Sequence, residues 1–390
     1  MLYLDHNATT QPDDAVVEAM ARSMREAWGN PSSMHSWGER ARAALEHSRA
    51  QVAALVGCAA RGVVFTSGGT EACALALRSC IGATTMRGTI VCSRIEHSAV
   101  RDPIKQYESS GGDVVWLDGD PTGVVSPAEV ERALGGRDDI SLVCLQWANS
   151  ETGVVQRIAE VGRVCRSRRV PFFVDAVQWA GKGVIDMRSL PIDMLAISAH
   201  KFHGPKGAGA LIVGDGTVLS GKKEGSPQEG GRRAGTEAHP ALIGFGVAAE
   251  LASRWLAGDG RDAATHVARI RDAFEERVVA ALPGAIIIAR SAARIWNTSL
   301  IAFPGLEAAA IVLALSRRGV CASAGSACSS GSLEPSPALL AMGVPHDVAH
   351  GAVRFSFGRD ANESMAFDAA DRVIAVVRRV AAIGGSATPG

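Results

Sequence analysis

At 390 residues the chain is longer than one compact core usually holds, which points to two closely associated domains. It is 47% hydrophobic and 21% charged with a formal net charge of zero, an ordinary balance that leaves no electrostatic footprint for nucleic acid or an anionic membrane. No run of about 18 apolar residues occurs, and the start Met1-Leu2-Tyr3-Leu4-Asp5 lacks a basic region followed by an apolar stretch, so no membrane span is predicted and the expected setting is the cytoplasm.

Taken in chain order, short β-rich runs predict strands at Val63–Thr66, Thr89–Cys92, Val114–Leu117, Ser141–Trp147, Pro171–Asp175, Met194–Ser198 and Ala208–Val213. Helical spacing falls between several of them, as in Glu71–Ile81 and Ile158–Arg168. Continuous apolar strands alternating with helices imply an α/β fold with a mainly parallel sheet covered on both faces. After about residue 250 the pattern changes. One long helical stretch, Leu251–Ala281, precedes strand-like Ala285–Ala289 and Asn297–Phe303, a helix near Leu306–Arg317, a strand at Val353–Phe357 and a final helix. That order reads as a smaller α+β domain.

Four local signals fall where such a sheet places ligands, at the carboxyl ends of its strands. Phe65-Thr66-Ser67-Gly68-Gly69-Thr70-Glu71 joins a strand to a helix, and its glycines permit a phosphate to approach the helix amino terminus. By itself it also fits an ordinary strand-to-helix turn. Ser93-Arg94-Ile95-Glu96-His97-Ser98 follows the second strand and offers His97 for ring stacking or proton transfer. Phe172-Phe173-Val174-Asp175 ends a buried strand in a carboxylate, either a helix cap or the partner of a protonated ring nitrogen. Ser198-Ala199-His200-Lys201 sets a lysine directly after an apolar strand, where it could carry a carbonyl cofactor while Ser198 and His200 bond a phosphate. Lysine is scarce, occurring only at positions 105, 182, 201, 206, 222 and 223. His200 and His203 lack a third ligand of matching pattern, so no metal is expected.

The eight cysteines include no C-x-x-C pair, which argues against zinc or thioredoxin-like chemistry. Most lie in apolar segments, where thiols behave as small buried hydrophobes, and Cys321 after Gly319-Val320 is expected to be one of them. Cys328 differs. It sits in Ala324-Gly325-Ser326-Ala327-Cys328-Ser329-Ser330-Gly331-Ser332, a run too small and polar for a core.

The ordered series of phosphate turn, histidine, aspartate and lysine resembles the fold-type I pyridoxal-phosphate enzymes. Within them the chain resembles the cysteine desulfurase family of the class V aminotransferase group. Tyr3-Leu4-Asp5-His6-Asn7-Ala8-Thr9-Thr10, Gly29-Asn30-Pro31-Ser32-Ser33-Met34-His35, Arg233-Ala234-Gly235-Thr236, Gly325-Ser326-Ala327-Cys328 and Arg354-Phe355-Ser356-Phe357-Gly358-Arg359 carry the likeness over almost the whole chain. Ser33-Met34-His35 and Arg232–Glu237 look most like the nitrogen-fixation type, with the housekeeping iron–sulfur type close behind.

The resemblance implies a mainly parallel seven-stranded sheet in a large cofactor-binding domain, residues 12–250. A smaller α+β domain of residues 1–11 and 251–390 would carry the cysteine loop. It further implies that Lys201 holds pyridoxal 5'-phosphate, that Asp175 pairs with its ring nitrogen, and that His97 stacks on the ring. Gln178 would bond the ring hydroxyl, and Gly69, Thr70, Ser198 and His200 the phosphate. Thr236 would reach the phosphate in a partner subunit, which implies a homodimer. Arg354 would bind the carboxylate of L-cysteine, with Asn7 at the substrate end. Cys328 would take the sulfur as a persulfide for an iron–sulfur scaffold or another acceptor protein. One departure stands out: where the family reads Asn-Asn-Glu, this chain has Asn149-Ser150-Glu151. The ring-hydroxyl contact at Ser150 is then expected to pass through water or to Asn149. An aminotransferase or selenocysteine lyase on the same scaffold would keep Lys201 without needing Cys328, and a non-catalytic interaction subunit would need neither.

Overall fold

The structure, a computed structural model, describes residues 1–81, 88–219, 225, 227–325 and 334–385. Its centre is a seven-stranded sheet in the order Val63–Thr66, Gly209–Val213, Met194–Ser198, Phe172–Asp175, Ile140–Gln146, Thr89–Ser93, Val114–Leu117. Every neighbouring pair is parallel except the two made by Gly209–Val213. All seven strands lie where the sequence predicts them, with ends shifted by at most a residue.

The alternation of side chains across the pleat explains the layers. Val63, Phe65, Val143, Leu145, Phe172, Val174, Leu195 and Ile197 face one buried core. Their neighbours Val64, Leu142, Cys144, Phe173, Met194 and Ala196 face a second core on the opposite side. With both faces covered, the interior strands need apolar residues at every position, which is why they read as continuous runs. Cys73, Cys92, Cys144 and Cys165 are buried, as expected of thiols in such segments.

Beyond the sheet, the single helix expected over Leu251–Ala281 is two helices, His239–Ala257 and Gly260–Ala281. The break falls at Gly258, whose backbone leaves helical geometry (φ −96°, ψ −131°). Glycine reaches that conformation with the least strain, and helices commonly stop at it. The first helix packs on Asp14–Glu26 and Ser36–Val56, the second on the last helix, Glu363–Gly385.

A four-stranded antiparallel sheet follows, ordered Ser323–Ala324, Ala352–Ser356, Thr298–Ala302, Ile286–Ile287. Its core holds Phe274, Ile301, Val353, Phe355 and Phe357 together with Leu4 from the other end of the chain. Leu2–Tyr3 pairs in parallel with Val320–Cys321, and Asp5 bridges to Ser356. Cys321 is half-buried rather than buried. The strand that carries it belongs to a two-stranded ribbon, which leaves one side uncovered.

Because the six mutually parallel strands run the same way, their carboxyl ends share one edge. Thr66, Ser93, Gln146, Asp175 and Ser198 all end there. The antiparallel strand comes closest to the first turn on that edge. A Cβ placed on Gly209 would lie 2.6 Å from the carbonyl carbon of Gly68, so only glycine fits beside this turn.

Candidate active site

At this edge lies a cavity of about 300 Å³, the lower end of the range for small-molecule sites. Its wall includes Asn7, Gly69, Thr70, His97, Ser150, Asp175, Gln178, Ser198, His200, Lys201 and Arg354. The structure therefore brings together every described site residue expected from the sequence except one. Thr236 is exposed and does not line the cavity. Its neighbour Arg233 is bound to Glu71 in the first turn of the helix Gly69–Ile81 (2.9 Å). Cys328 lies outside the described residues.

Gly69 and Thr70 open that helix, whose first amide groups have no partner within it and suit an anion. Glu71 turns back to accept from the Ser67 N–H (2.6 Å). The two Glu71 bonds hold the turn, and they keep its carboxyl at about 2 against the opposing effect of burial. Ser198 is buried at the end of its strand.

Asp175 is almost fully buried, and one of its oxygens accepts from the Val177 N–H (2.9 Å). Burial pushes its pKa up, while His97, that N–H and Lys201 pull it back. A buried carboxylate in this position favours a cationic partner. His97 caps the helix Ser98–Ser109 through Nδ1, which accepts from the Ala99 N–H (3.1 Å). In the neutral imidazole the proton must then sit on Nε2.

The Lys201 Nζ donates to the backbone carbonyls of Asn7 (2.7 Å) and Ala8 (2.9 Å). The Gln178 Nε2 donates to the same Asn7 carbonyl (2.9 Å). The Asn7 side chain faces the framework rather than open space. Its Nδ2 donates to Thr298 Oγ1 (2.8 Å) and the Ser150 carbonyl (3.2 Å), and its Oδ1 accepts from Asn297 Nδ2 (3.1 Å) and Lys182 Nζ (3.0 Å).

Arg354 sits in the strand Ala352–Ser356, buried, and donates to the Ser150 carbonyl (3.0 Å) and to Asp5 Oδ1 (2.8 Å). Asp5 also accepts from Ser323 (2.9 Å). The Ser150 position supplies its carbonyl to the framework. The Asn149 side chain is engaged with the protein itself. Its Oδ1 accepts from the N–H groups of Glu151 (2.9 Å) and Thr152 (2.8 Å), its Nδ2 donates to the Ile95 carbonyl (3.2 Å), and it stands outside the cavity wall.

Sequence reasoning missed Asp5, Lys182, Asn297 and Thr298 as parts of this framework. Lys182 carried one available signal, being one of only six lysines and four residues past Gln178. The other three have no local mark, since their partners are distant in the chain.

The donor set fits pyridoxal phosphate: a primary amine, a buried carboxylate, an imidazole, an amide and a helix amino terminus converge on one cavity. Lys201 would carry it, Asp175 would meet the ring nitrogen and Gly69 with Thr70 the phosphate. Among the described residues no group of three or more His, Cys, Asp or Glu could hold a metal ion. Burial raises the thiols of Cys58 to about 11 and Cys165 to about 12.

His200 accepts or donates at Nδ1 with Thr9 Oγ1 (3.2 Å), and its pKa is lowered to about 4, by burial first and then by Lys201 and Lys206. Its ordinary value is 6.5, so between these two the unfolded chain binds a proton that the folded chain refuses. This contribution favours folding least below about pH 4 and is restored as pH rises past 6.5. Unfolding free energy from denaturant titration should consequently rise less steeply from pH 4 to 6.5 in His200→Gln than in the wild type. Equal slopes would show that His200 does not titrate as its surroundings dictate.

Comparison with known proteins agrees with this geometry. The class-V aminotransferase family model matches residues 2–365. A cysteine desulfurase of Nostoc sp. is 42% identical over 380 residues, spanning 97% of this chain and 92% of that protein. Cysteine desulfurase NifS of Azotobacter vinelandii is 40% identical over 382 residues, spanning 98% and 92%. Among solved structures, a NifS-like protein superposes with a TM-score of 0.88 at 31% identity, covering 97% of this chain and 99% of that one. A structure titled SspA in complex with cysteine gives 0.79 at 30% identity, covering 92% and 99%. With nearly its whole length matched, the chain belongs to the cysteine desulfurases, pyridoxal-phosphate-dependent members of the class-V aminotransferase family.

Proposed function

We propose that this chain converts L-cysteine to L-alanine and receives the sulfur on Cys328 as a persulfide. The observation that carries the reading is one cavity lined by Lys201, Asp175 and Arg354. A primary amine, a carboxylate for a ring cation and a guanidinium for a carboxylate are the three groups an amino-acid enzyme of this kind needs.

When bound, pyridoxal phosphate supplies an electron sink for negative charge developing at the substrate α-carbon. Asp175 keeps a proton on the ring nitrogen by its buried negative charge. Arg354 takes the substrate carboxylate, its planar fork matching two oxygens. Lys201 Nζ removes the α-proton. His97, with Nδ1 committed to Ala99, keeps its proton on Nε2 and lines the cavity where the ring would sit.

The Cys328 thiolate attacks the substrate sulfur, forming an S–S bond as the C–S bond breaks. The electron pair of that bond stays with carbon, which gains a proton, and return of the α-proton from Lys201 completes alanine. Only a thiolate can make the attack, and at pH 7 a thiol of pKa about 8.5 is a few per cent ionised.

We extend the reading to a cytoplasmic homodimer in which Thr236 serves the partner's site. Its exposure outside its own chain's cavity supports this, and a strictly monomeric active enzyme in light scattering would rule it out. The sulfur would pass to an iron–sulfur scaffold or another carrier protein. Ser33-Met34-His35 and Arg232–Glu237, which look most like the nitrogen-fixation type, make nitrogen fixation one candidate role and general iron–sulfur cluster assembly the other.

The primary test is mass spectrometry of protein briefly exposed to cysteine, alongside assay of alanine and sulfide. One added sulfur should map to the Cys328 peptide. Cys328→Ala should bind cofactor and cysteine normally yet release no sulfide. Persulfide on Cys321, or full turnover by Cys328→Ala, would overturn the proposal. A transaminase or selenocysteine-selective enzyme would yield no stoichiometric alanine from cysteine.

Arg354 gives a second measurement. A hydrogen bond to a charged group contributes about 1.5–3 kcal/mol, so Arg354→Ala should lower kcat/KM about ten- to a hundredfold or more. Arg354→Lys should recover part of it, because an ammonium group lacks the fork. Unchanged kcat/KM in Arg354→Ala would remove this residue from substrate recognition.

A further inference from the structure

We propose that Lys182 is a positioning residue that sets which end of the Gln178 amide is offered to the cofactor cavity. The inference rests on the reading of that cavity as the pyridoxal-phosphate site. Lys182 does not line the cavity. It lies behind the wall, where its Nζ donates to Gln178 Oε1 (2.8 Å) and Asn7 Oδ1 (3.0 Å).

The oxygen and nitrogen ends of a glutamine amide have nearly the same shape, so neighbours must choose between them. Two neighbours choose here, in opposite senses. The Asn7 carbonyl can only accept, and it takes one N–H of Gln178 Nε2 (2.9 Å). Lys182 has only donors to give when protonated, so it claims Oε1. An amide nitrogen carries two N–H groups. With Oε1 held by Lys182 and one N–H spent on Asn7, the second N–H is the donor that Gln178 can offer to an oxygen in the cavity it lines. Without Lys182, that arrangement has one anchor instead of two.

The cost of placing a lysine there argues that it serves the site rather than the core. Lys182 is 7% exposed, and among the described residues no carboxylate forms an ion pair with it. Burial, then Lys201, Arg354 and Arg359, pushes its pKa well below the ordinary value. As a neutral amine it would still keep two N–H groups, enough for both acceptors. An apolar chain of similar size would avoid the cost of burying an amine but would leave Gln178 Oε1 without this donor. The backbone around it is fixed independently: Trp296 Nε1 donates to the Lys182 carbonyl (3.1 Å), and Arg359 donates to that of Gly181 (2.6 Å).

The test uses the holoenzyme with Lys182→Met, Gln178→Leu and the double variant. Thermal melting, visible circular dichroism of the bound cofactor and kcat/KM with cysteine are measured for each. Lys182→Met should change the visible dichroism and lower kcat/KM about tenfold, the ratio set by one hydrogen bond of ordinary strength, with melting showing that the variant is folded. The double variant should be no worse than Gln178→Leu alone, because residues acting through one contact are not additive. Lys182→Gln, which keeps a donor on a shorter stem, should recover part of both signals, and it carries the test if Lys182→Met does not fold. Wild-type dichroism and rate in Lys182→Met, multiplying effects in the double variant, or a Lys182→Gln no better than Lys182→Met would each overturn the proposal. Borohydride reduction of the wild type, locating cofactor on the Lys201 peptide, separates these outcomes from failure of the cofactor reading itself.

Discussion

The site depends first on where residues 5 to 10 run. The Asn7 and Ala8 carbonyls anchor the Lys201 ammonium, and the Asn7 carbonyl also anchors Gln178. Buried polar groups are costly unless bonded, so each of these bonds fixes two partners at once. The Asn7 amide makes four bonds, reaching Ser150 and Lys182 on one side and Asn297 and Thr298 on the other. One short segment thus couples the sheet that ends in Asp175 to the sheet that holds Arg354. Thr10 continues the coupling by donating through both N–H and hydroxyl to the His200 carbonyl (2.9 and 3.0 Å).

Around that segment the structure gathers cations: Lys182, Lys201, Arg354 and Arg359. Each loses hydration on burial, and the effect is visible in Arg359, whose pKa falls to about 10. Asp5 answers Arg354 directly. Asp175 lies nearer Lys201 and His97, which hold its negative charge against burial. Of these, Lys201 and Arg354 line the cavity, and such donors suit a ligand bearing phosphate and carboxylate groups.

The cysteines divide along the same physical line. Those inside the sheet layers are shielded from water and held as thiols, with Cys73 and Cys144 pushed well above the ordinary value by burial. They pack as small apolar groups. The run that flanks Cys328 differs from these apolar segments in composition, being made of small and polar residues.

The sequence alone determined the large sheet and the residues at its edge. Strands buried on both faces must be apolar throughout, so all seven stood out, and chemistry-bearing residues just past their ends, Asp175, Lys201 and His97, stood out with them. Tertiary structure decided what local pattern does not encode. The break at Gly258 within an otherwise helical stretch depends on a single backbone conformation. The half-exposure of Cys321 depends on which strand pairs beside it. The commitment of Ser150 through its carbonyl depends on Arg354, 204 residues away. Lys182 shows the difference most plainly: its rarity was legible, but its task was not, because a lysine's role follows from the acceptors around its ammonium group, and Asn7 is 175 residues distant in the chain.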